Sequence, residues 1–143
     1  MKRLLLTACA LTLSLAACAP GLTTIPTSVP AAAEALRLPH LTVAGLVVTV
    51  HNPTGTPLTG DTSRGQRAVV TVVGQDITPA PGTTCTREVT AGLRWNCPVV
   101  TVEPGGQAPL IFVPDGTAPV ITFAVGTGYL GSAVPVPLAL LQR

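Results

Sequence analysis

The chain has few charged and few aromatic residues, and each shortage excludes a class of function. Only 10% of the 143 residues are charged, and outside Lys2 and Arg3 six arginines balance six acidic residues. No basic surface is therefore available for nucleic acid or for anionic lipid. With Trp95 expected in the core, only Phe112, Phe123 and Tyr129 remain as aromatic residues, too few for a platform on which sugars or bases stack.

Residues that commonly catalyse reactions are also scarce. The only histidines are His40 and His51, and the serines beyond the N-terminal segment lie in no Gly-x-Ser-x-Gly elbow; they are Ser28, Ser63 and Ser132. An enzyme needs a nucleophile with its base, paired carboxylates or a metal set. We therefore expect each His to lie in a loop or on a strand face, and we expect neither enzyme activity nor a cofactor.

The N-terminal segment is too short to cross a bilayer and has the features of a secretion signal. The basic start Met1-Lys2-Arg3 precedes an apolar run from Leu4 to Leu15, shorter than the ~20 residues that a membrane-spanning helix needs. Small residues then lead to Cys18. This order of basic, apolar and small residues predicts a secretory signal peptide.

The residues Leu15-Ala16-Ala17-Cys18 resemble the lipobox of bacterial lipoproteins. The resemblance implies that the leader is removed and that Cys18 becomes the first residue, carrying two or three acyl chains such as palmitate. Several chains hold a protein on a membrane far more firmly than one chain does. Ala19 is not the Asp that retains some lipoproteins at the inner membrane, which slightly favours the outer membrane. An ordinary secretory signal, cleaved at Ala17 or Ala19, remains the alternative.

These features divide the chain into three parts. Residues 1–17 are the predicted lipoprotein signal peptide, and residues 18–39 are a linker rich in Pro, Ala and Thr. Within the linker, residues 31–38 have the composition of two helical turns between Pro30 and Pro39. Residues 40–143 form one small domain.

The domain has the pattern of an all-β fold. Residues 46–51 alternate with period two, and the compact apolar run 68–73 lies between glycines. Residues 108–113 and 120–125 predict two further strands, and turns are expected at 104–106, at 114–116 and at Gly126-Thr-Gly128. We expect an antiparallel, immunoglobulin-like sandwich of about seven short strands.

Two cysteines are expected to form a disulfide. Cys9 lies in the leader and Cys18 in the lipobox, so Cys85 and Cys97 remain as an even pair in an oxidising compartment. Closing a loop near 15 residues contributes about 3 kcal/mol. Trp95 lies two residues before Cys97, so both side chains point the same way in a strand and pack together. The alternative, a redox or metal pair, lacks the C-x-x-C spacing and a nearby His.

Three short motifs resemble the repeat-type immunoglobulin-like modules of prokaryotic surface proteins. They are Val48-Thr-Val-His-Asn52-Pro-Thr-Gly55, Trp95-Asn-Cys97 and Val102-Glu-Pro104-Gly105-Gly106, in that order within residues 41–130. Those modules carry an Asp-x-Leu-Pro-like segment after the second strand, which Asp61-Thr-Ser-Arg64-Gly65 replaces here. The resemblance implies a non-catalytic sandwich displayed on the cell envelope, and it transfers no binding residue.

The last predicted strand contains Pro135 and Pro137, whose missing N–H groups would point to the same side. That side is expected to be a sheet edge, which the prolines protect against aggregation. The alternative is that residues 138–141 dock on a partner.

The sequence therefore predicts a lipid-anchored envelope protein that acts as a structural or protein-interaction module. Its expected partners are the membrane, through the lipid on Cys18, and another envelope protein. The alternative is a lipoprotein that binds a small ligand or a cation through the sandwich loops. Asp61, Asp76 and Asp115 lack the spacing of a calcium loop, but the loops of a sandwich can converge.

Overall fold

The computed structural model describes residues 37–59, 67–88, 93–131 and 134–141. These residues form ten strands, which confirms the predicted all-β class, although about seven strands were expected. The additional strands are short, and several are too brief for a periodic pattern. The strands are β1 (His40–Ala44), β2 (Val47–His51), β3 (Leu58–Thr59), β4 (Val69–Gln75), β5 (Ile77–Pro79), β6 (Thr86–Arg87), β7 (Arg94–Pro98), β8 (Gln107–Pro114), β9 (Val120–Leu130) and β10 (Val134–Leu141).

The strands form one continuous sheet that curls over itself into two halves. The first half has the order β5-β8-β2-β1 and the second has the order β10-β9-β4-β7-β6, while β3 pairs with β9 beyond the end of β4. These neighbour orders correspond to the two sheets of an immunoglobulin-like sandwich. The expected fold class is therefore confirmed.

A single core lies between the two halves because strands such as β2 and β4 alternate buried and accessible side chains. In β2 the buried residues are Val48 and Val50, and in β4 they are Val70 and Val72. Phe112 of β8 belongs to the same cluster. Period-two burial of β-branched residues is what a half-covered strand requires. Each half consequently has one face in the core and one outer face.

One strand pairing differs from the predicted antiparallel arrangement. The two halves are joined by β1 and β10, which run parallel with His40 opposite Ala139 and Thr42 opposite Leu141. The sequence pattern describes each strand locally and contains no sign of which distant strand it joins. The parallel pair of β1 and β10 joins the two halves along one side of the sandwich.

The expected edge at β10 is confirmed for the first part of the strand and wrong for the second. Residues 134–138 pair with β9, and among the described residues no strand pairs on their other side. From Ala139 onward β1 occupies that side. Leu138 and Leu141 are buried, and Leu138 belongs to the core cluster. Leu138 and Leu141 are therefore not available to a partner, because their side chains pack inside their own domain.

The turn expected at Gly126-Thr-Gly128 is also wrong, because β9 continues to Leu130. A Cβ on Gly126 would lie 2.8 Å from the carbonyl oxygen of Val69, and one on Gly128 would lie 2.5 Å from Cδ1 of Leu58. The glycines allow close packing inside the sandwich and do not reverse the chain. By contrast, the turn expected at 104–106 is present, with Gly105 at a φ of 72°.

The expected disulfide between Cys85 and Cys97 is present, with the Cα atoms 4.1 Å apart. Since Thr86 pairs with Asn96 in antiparallel register, the two cysteines face each other across adjacent strands. Cys97 is fully buried, and Trp95 on the same side of β7 is half-buried against the core. The disulfide therefore holds β6 and the loop before it against the sandwich.

The described parts of the chain contain no helix. They therefore offer no helix that could cross a membrane. The predicted lipobox, with Cys18, and nearly all of the linker lie outside the described residues, as do Ser28, Asp61, Ser63 and Ser132.

Candidate interaction face

The outer face of the second half of the sandwich is apolar at its centre. On β4 the outward residues are Val69, Thr71 and Val73, which lie directly opposite Thr127, Val125 and Phe123 of β9. Pro137 and Ala139 of β10 continue the same rows on one side, and Asn96 and Pro98 of β7 continue them on the other. We call these ten residues the β9 face.

Large apolar side chains are accessible to solvent on the β9 face. Phe123 is 46% exposed and Val125 is 41% exposed. A single exposed apolar side chain is ordinary, but adjacent ones surrounded by Val, Pro, Ala and Thr form a continuous patch. Patches of this kind mark contact sites on soluble domains.

A β-bulge shapes the β9 face next to Phe123. Val73 pairs with Phe123, whereas the next residue of β4, Gly74, pairs with Ile121, so Thr122 has no opposite residue. A bulge increases the local twist and redirects the strand beyond it. Phe123 thus lies where the regular ladder begins, beside Val73, with its ring on the outer surface.

An ion pair lies at one edge of the β9 face. Arg94 of β7 lies opposite Val73, and its Nη1 is 3.3 Å from Oε2 of Glu88. An exposed pair of this kind adds little to stability. The two opposite charges leave this edge of the β9 face without net charge.

The two histidines, expected singly in loops or on strand faces, lie directly opposite each other on β1 and β2. Their rings stack with centroids 4.9 Å apart. The Nδ1 of His40 is 2.8 Å from the carbonyl oxygen of Leu38, which can only accept, so this nitrogen donates. Nε2 of His51 is 2.7 Å from Oγ1 of Thr42. Both rings thus have structural contacts within the first half.

Asn52 joins two loops at one end of the sandwich and is completely buried. Its Nδ2 donates to the carbonyl oxygens of Thr56 and Val102, each at 2.9 Å, and to that of Glu103 at 3.3 Å. Its Oδ1 accepts from the hydroxyl and the backbone N–H of Thr54. The sequence shows Asn52 only as one residue of the Val48-to-Gly55 motif, and its structural role depends on the approach of residues 102–106.

The other end of the sandwich contains a cleft of about 110 Å³. Its lining includes Asp76, Asp115, Arg87 and Trp95. The guanidinium of Arg87 lies 5.8 Å from the centroid of the Trp95 ring. Oδ2 of Asp76 accepts a bond from the backbone N–H of Ala118, so this carboxylate already stabilises the 114–118 turn.

The cleft brings together two of the three aspartates that the sequence singles out. The backbone N–H of Asp115 donates to the carbonyl oxygen of Asp76 at 2.7 Å. Within the described ranges, no group of three or more His, Cys, Asp or Glu side chains is arranged to hold a metal ion. The convergence of these loops therefore produces a small polar cleft.

Comparison with protein-family models, with curated proteins and with solved structures finds no match to this chain. Its function is therefore argued from its own residues.

The sequence provides only an indirect sign of the β9 face. In β9, large apolar residues alternate with Ala124, Gly126 and Gly128. Small residues on one side and large ones on the other indicate close packing inward and a broad apolar surface outward. The sequence prediction instead ended this strand at Val125 and placed a turn at Gly126-Thr-Gly128.

Proposed function

We propose that the protein is a lipid-anchored, extracytoplasmic and non-catalytic interaction module of the cell envelope. The observation that carries the interaction role is the β9 face, a surface with an exposed apolar centre and an ion pair at one edge. The lipobox-like residues 15–18 support the anchor, and the disulfide suits an oxidising compartment. The outer membrane is the favoured location.

Each part of the chain contributes to this role in a different way. The acyl chains on Cys18 would hold the protein at the membrane, and the linker to residue 39 would separate the domain from it. The sandwich would hold the β9 face in place, because Val125 is paired with strands on both sides and Phe123 is paired with Val73 of β4. Rigid contact residues lose little conformational entropy when a partner binds.

The anchor is tested by the intact mass of the protein extracted with detergent from membranes of its native host. We expect a chain that begins at Cys18, carries the added mass of acyl groups and gains about 2 Da on reduction of its one disulfide. The matched control is Cys18→Ser, which removes the acylated sulfur and should release the protein from the membrane. An unacylated wild-type chain that begins at another residue would contradict the proposed anchor.

The second candidate function is the binding of a small polar ligand or a cation in the cleft beside Trp95. The observation that favours it is the convergence of Asp76 and Asp115 at one end of the sandwich. Under this hypothesis calcium raises the melting temperature of the wild-type protein and has a smaller effect on Asp115→Asn. Asp115 is the better position to change because the carboxylate of Asp76 already bonds within the turn. If calcium leaves the melting temperature of the wild-type protein unchanged, the hypothesis that the cleft binds a cation is wrong.

A further inference from the structure

The turn that follows β8 contains the dipeptide Asp115-Gly116, and both residues are exposed to solvent. A backbone nitrogen can attack the side-chain carbonyl carbon of an aspartate that precedes it. Glycine permits this attack most readily, because it has no Cβ to obstruct the approach or to restrict the backbone. In the whole sequence Asp115 is the only aspartate that is followed by glycine.

The packing of the turn explains why residue 116 is a glycine. A Cβ on Gly116 would lie 2.7 Å from Oδ1 of Asp76, so a larger residue would displace that carboxylate. Asp76 is half-buried between β4 and β5 and cannot move away freely. The fold therefore requires at position 116 the residue that leaves Asp115 most open to attack.

Asp76 also holds both ends of this turn. The backbone N–H of Asp115 donates to the carbonyl oxygen of Asp76 at 2.7 Å, and the backbone N–H of Ala118 donates to Oδ2 of Asp76 at 2.9 Å. These bonds lie on either side of the peptide bond between Asp115 and Gly116. For the attack, the nitrogen of Gly116 must swing toward Cγ of Asp115. That rotation moves the chain toward Ala118 and strains the second bond.

We propose that Asp115 is a site of spontaneous isoaspartate formation and that Asp76 slows the reaction by holding the turn. The backbone nitrogen of Gly116 forms a bond to Cγ of Asp115, and its hydrogen leaves with the hydroxyl group of the protonated carboxyl as one molecule of water. The product is a succinimide ring. Solvent water then adds to one ring carbonyl carbon, and the bond from that carbon to nitrogen breaks. Opening at Cγ restores aspartate, whereas opening at the backbone carbonyl carbon gives isoaspartate.

The modification would change the cleft beside Trp95. In isoaspartate the chain runs through Cγ, so the backbone gains one carbon atom and a carboxylate remains on Cα. Asp115 lines the cleft, and the pair formed by Ile77 and Pro114 lies directly beside it. The reaction would therefore move a negative charge of the cleft without the help of an enzyme. This inference depends neither on the lipid anchor nor on the β9 face.

Peptide mapping of the full chain measures the reaction. The protein is incubated in water labelled with oxygen-18 at neutral pH, then denatured and cut with chymotrypsin. Cleavage after Phe112 and Phe123 releases residues 113–123, in which Asp115 is the only aspartate. The isoaspartyl peptide has a different retention time from the aspartyl peptide, and each opening of the ring adds one heavy oxygen atom. We expect isoaspartate in the native chain and faster formation in the chain unfolded with guanidinium.

Two substitutions of Asp76 test whether its carboxylate restrains the turn. Asp76 has a φ of 52°, which glycine and asparagine tolerate, so neither substitution strains the backbone. Asp76→Gly removes the acceptor for Ala118 and should speed isoaspartate formation roughly fivefold, the factor that corresponds to the loss of one hydrogen bond. Asp76→Asn is the matched control, because its side-chain oxygen can still accept that bond, and its rate should stay near that of wild type.

Thermal denaturation establishes that both variants fold before their rates are compared. The comparison of native with unfolded wild type needs no variant, so it tests the proposal even if Asp76→Gly does not fold. The absence of isoaspartate from the unfolded chain overturns the site. A native wild-type chain that reacts as fast as the unfolded chain overturns the restraint. Equal rates in folded wild type and folded Asp76→Gly overturn the role of Asp76.

Discussion

Removal of residues 135–143 is expected to leave the domain unfolded. The deletion takes away most of β10, which pairs with β9 on one side and with β1 on the other. It also removes Leu138, which is completely buried, and Leu141. Without this strand the seam between the two halves opens and the core is exposed to water. Far-ultraviolet circular dichroism and urea denaturation of the truncated full chain measure the loss.

A point substitution isolates the contribution of the core from that of the strand. Leu138→Ala should lower the free energy of unfolding by about 3 kcal/mol, because it removes buried methyl groups and leaves a cavity. The matched control is Val134→Ala in the same strand, where the side chain is 61% exposed and the change should stay within about 0.5 kcal/mol. A truncated chain that still unfolds cooperatively would mean that β10 is dispensable and that the pairing with β1 adds little.

The second large effect is expected at Asn52. Asn52→Ala removes the three bonds that its amide donates and the bonds that its carbonyl oxygen accepts from Thr54. At about 1 kcal/mol for each well-formed bond, the loss is about 3 kcal/mol of unfolding free energy. Because a small domain has only about 5–15 kcal/mol in total, this loss should be evident in urea denaturation.

Asn52→Asp should be at least as harmful as Asn52→Ala, although its shape is unchanged. It replaces the donating amide with a carboxylate oxygen that faces the carbonyl oxygens of Thr56, Val102 and Glu103. Burial and these oxygens should raise the pKa of the introduced carboxyl above its usual range. Since its folded pKa is raised, its penalty is full above the folded pKa and shrinks as the pH falls toward the unfolded value of about 3.9.

The control for Asn52 is Asn96→Ala. Asn96 is half-buried in β7, and its Oδ1 accepts a single bond at 2.9 Å from the hydroxyl of Thr71. We expect a loss of about 1 kcal/mol for this substitution. Equal losses at Asn52 and Asn96 would contradict the view that Asn52 holds the 52–58 loop against residues 102–106.

The strands that the sequence predicts are those whose own residues suffice to define them. β2, β4 and β8 are continuous runs of apolar and β-branched residues bounded by turns, so their position follows from local pattern. The disulfide could be predicted because Cys85 and Cys97 are the two cysteines that remain after the leader and the lipobox, and because the predicted compartment is oxidising. In the sequence, residues 41–51 look like one apolar segment. The structure divides this segment into β1 and β2 by a tight turn at Gly45, and β1 was therefore not predicted as a separate strand.

The candidate site could be predicted far less well than the fold. The sequence pattern shows that β9 has one side of small residues and one side of larger residues, but whether another element covers the larger side depends on how the two halves fold together. The stacking of His40 on His51 likewise depends on the register of the β1–β2 hairpin. A one-residue shift in register would place these side chains on opposite faces. The exposed side of β9 and the stacked histidines therefore depend on which strands pair and in which register. The residue pattern within one strand does not specify that pairing.

The pairing of β1 with β10 also affects when the domain can acquire its structure. Ala139 joins His40, about 100 residues earlier, and contacts of such long sequence separation form slowly because a large loop must close. A nascent chain that has not yet emerged as far as β10 has no partner for this side of β1. The fold should thus be completed only after β10 has been made, and until then the incompletely folded polypeptide can still be threaded through a narrow channel.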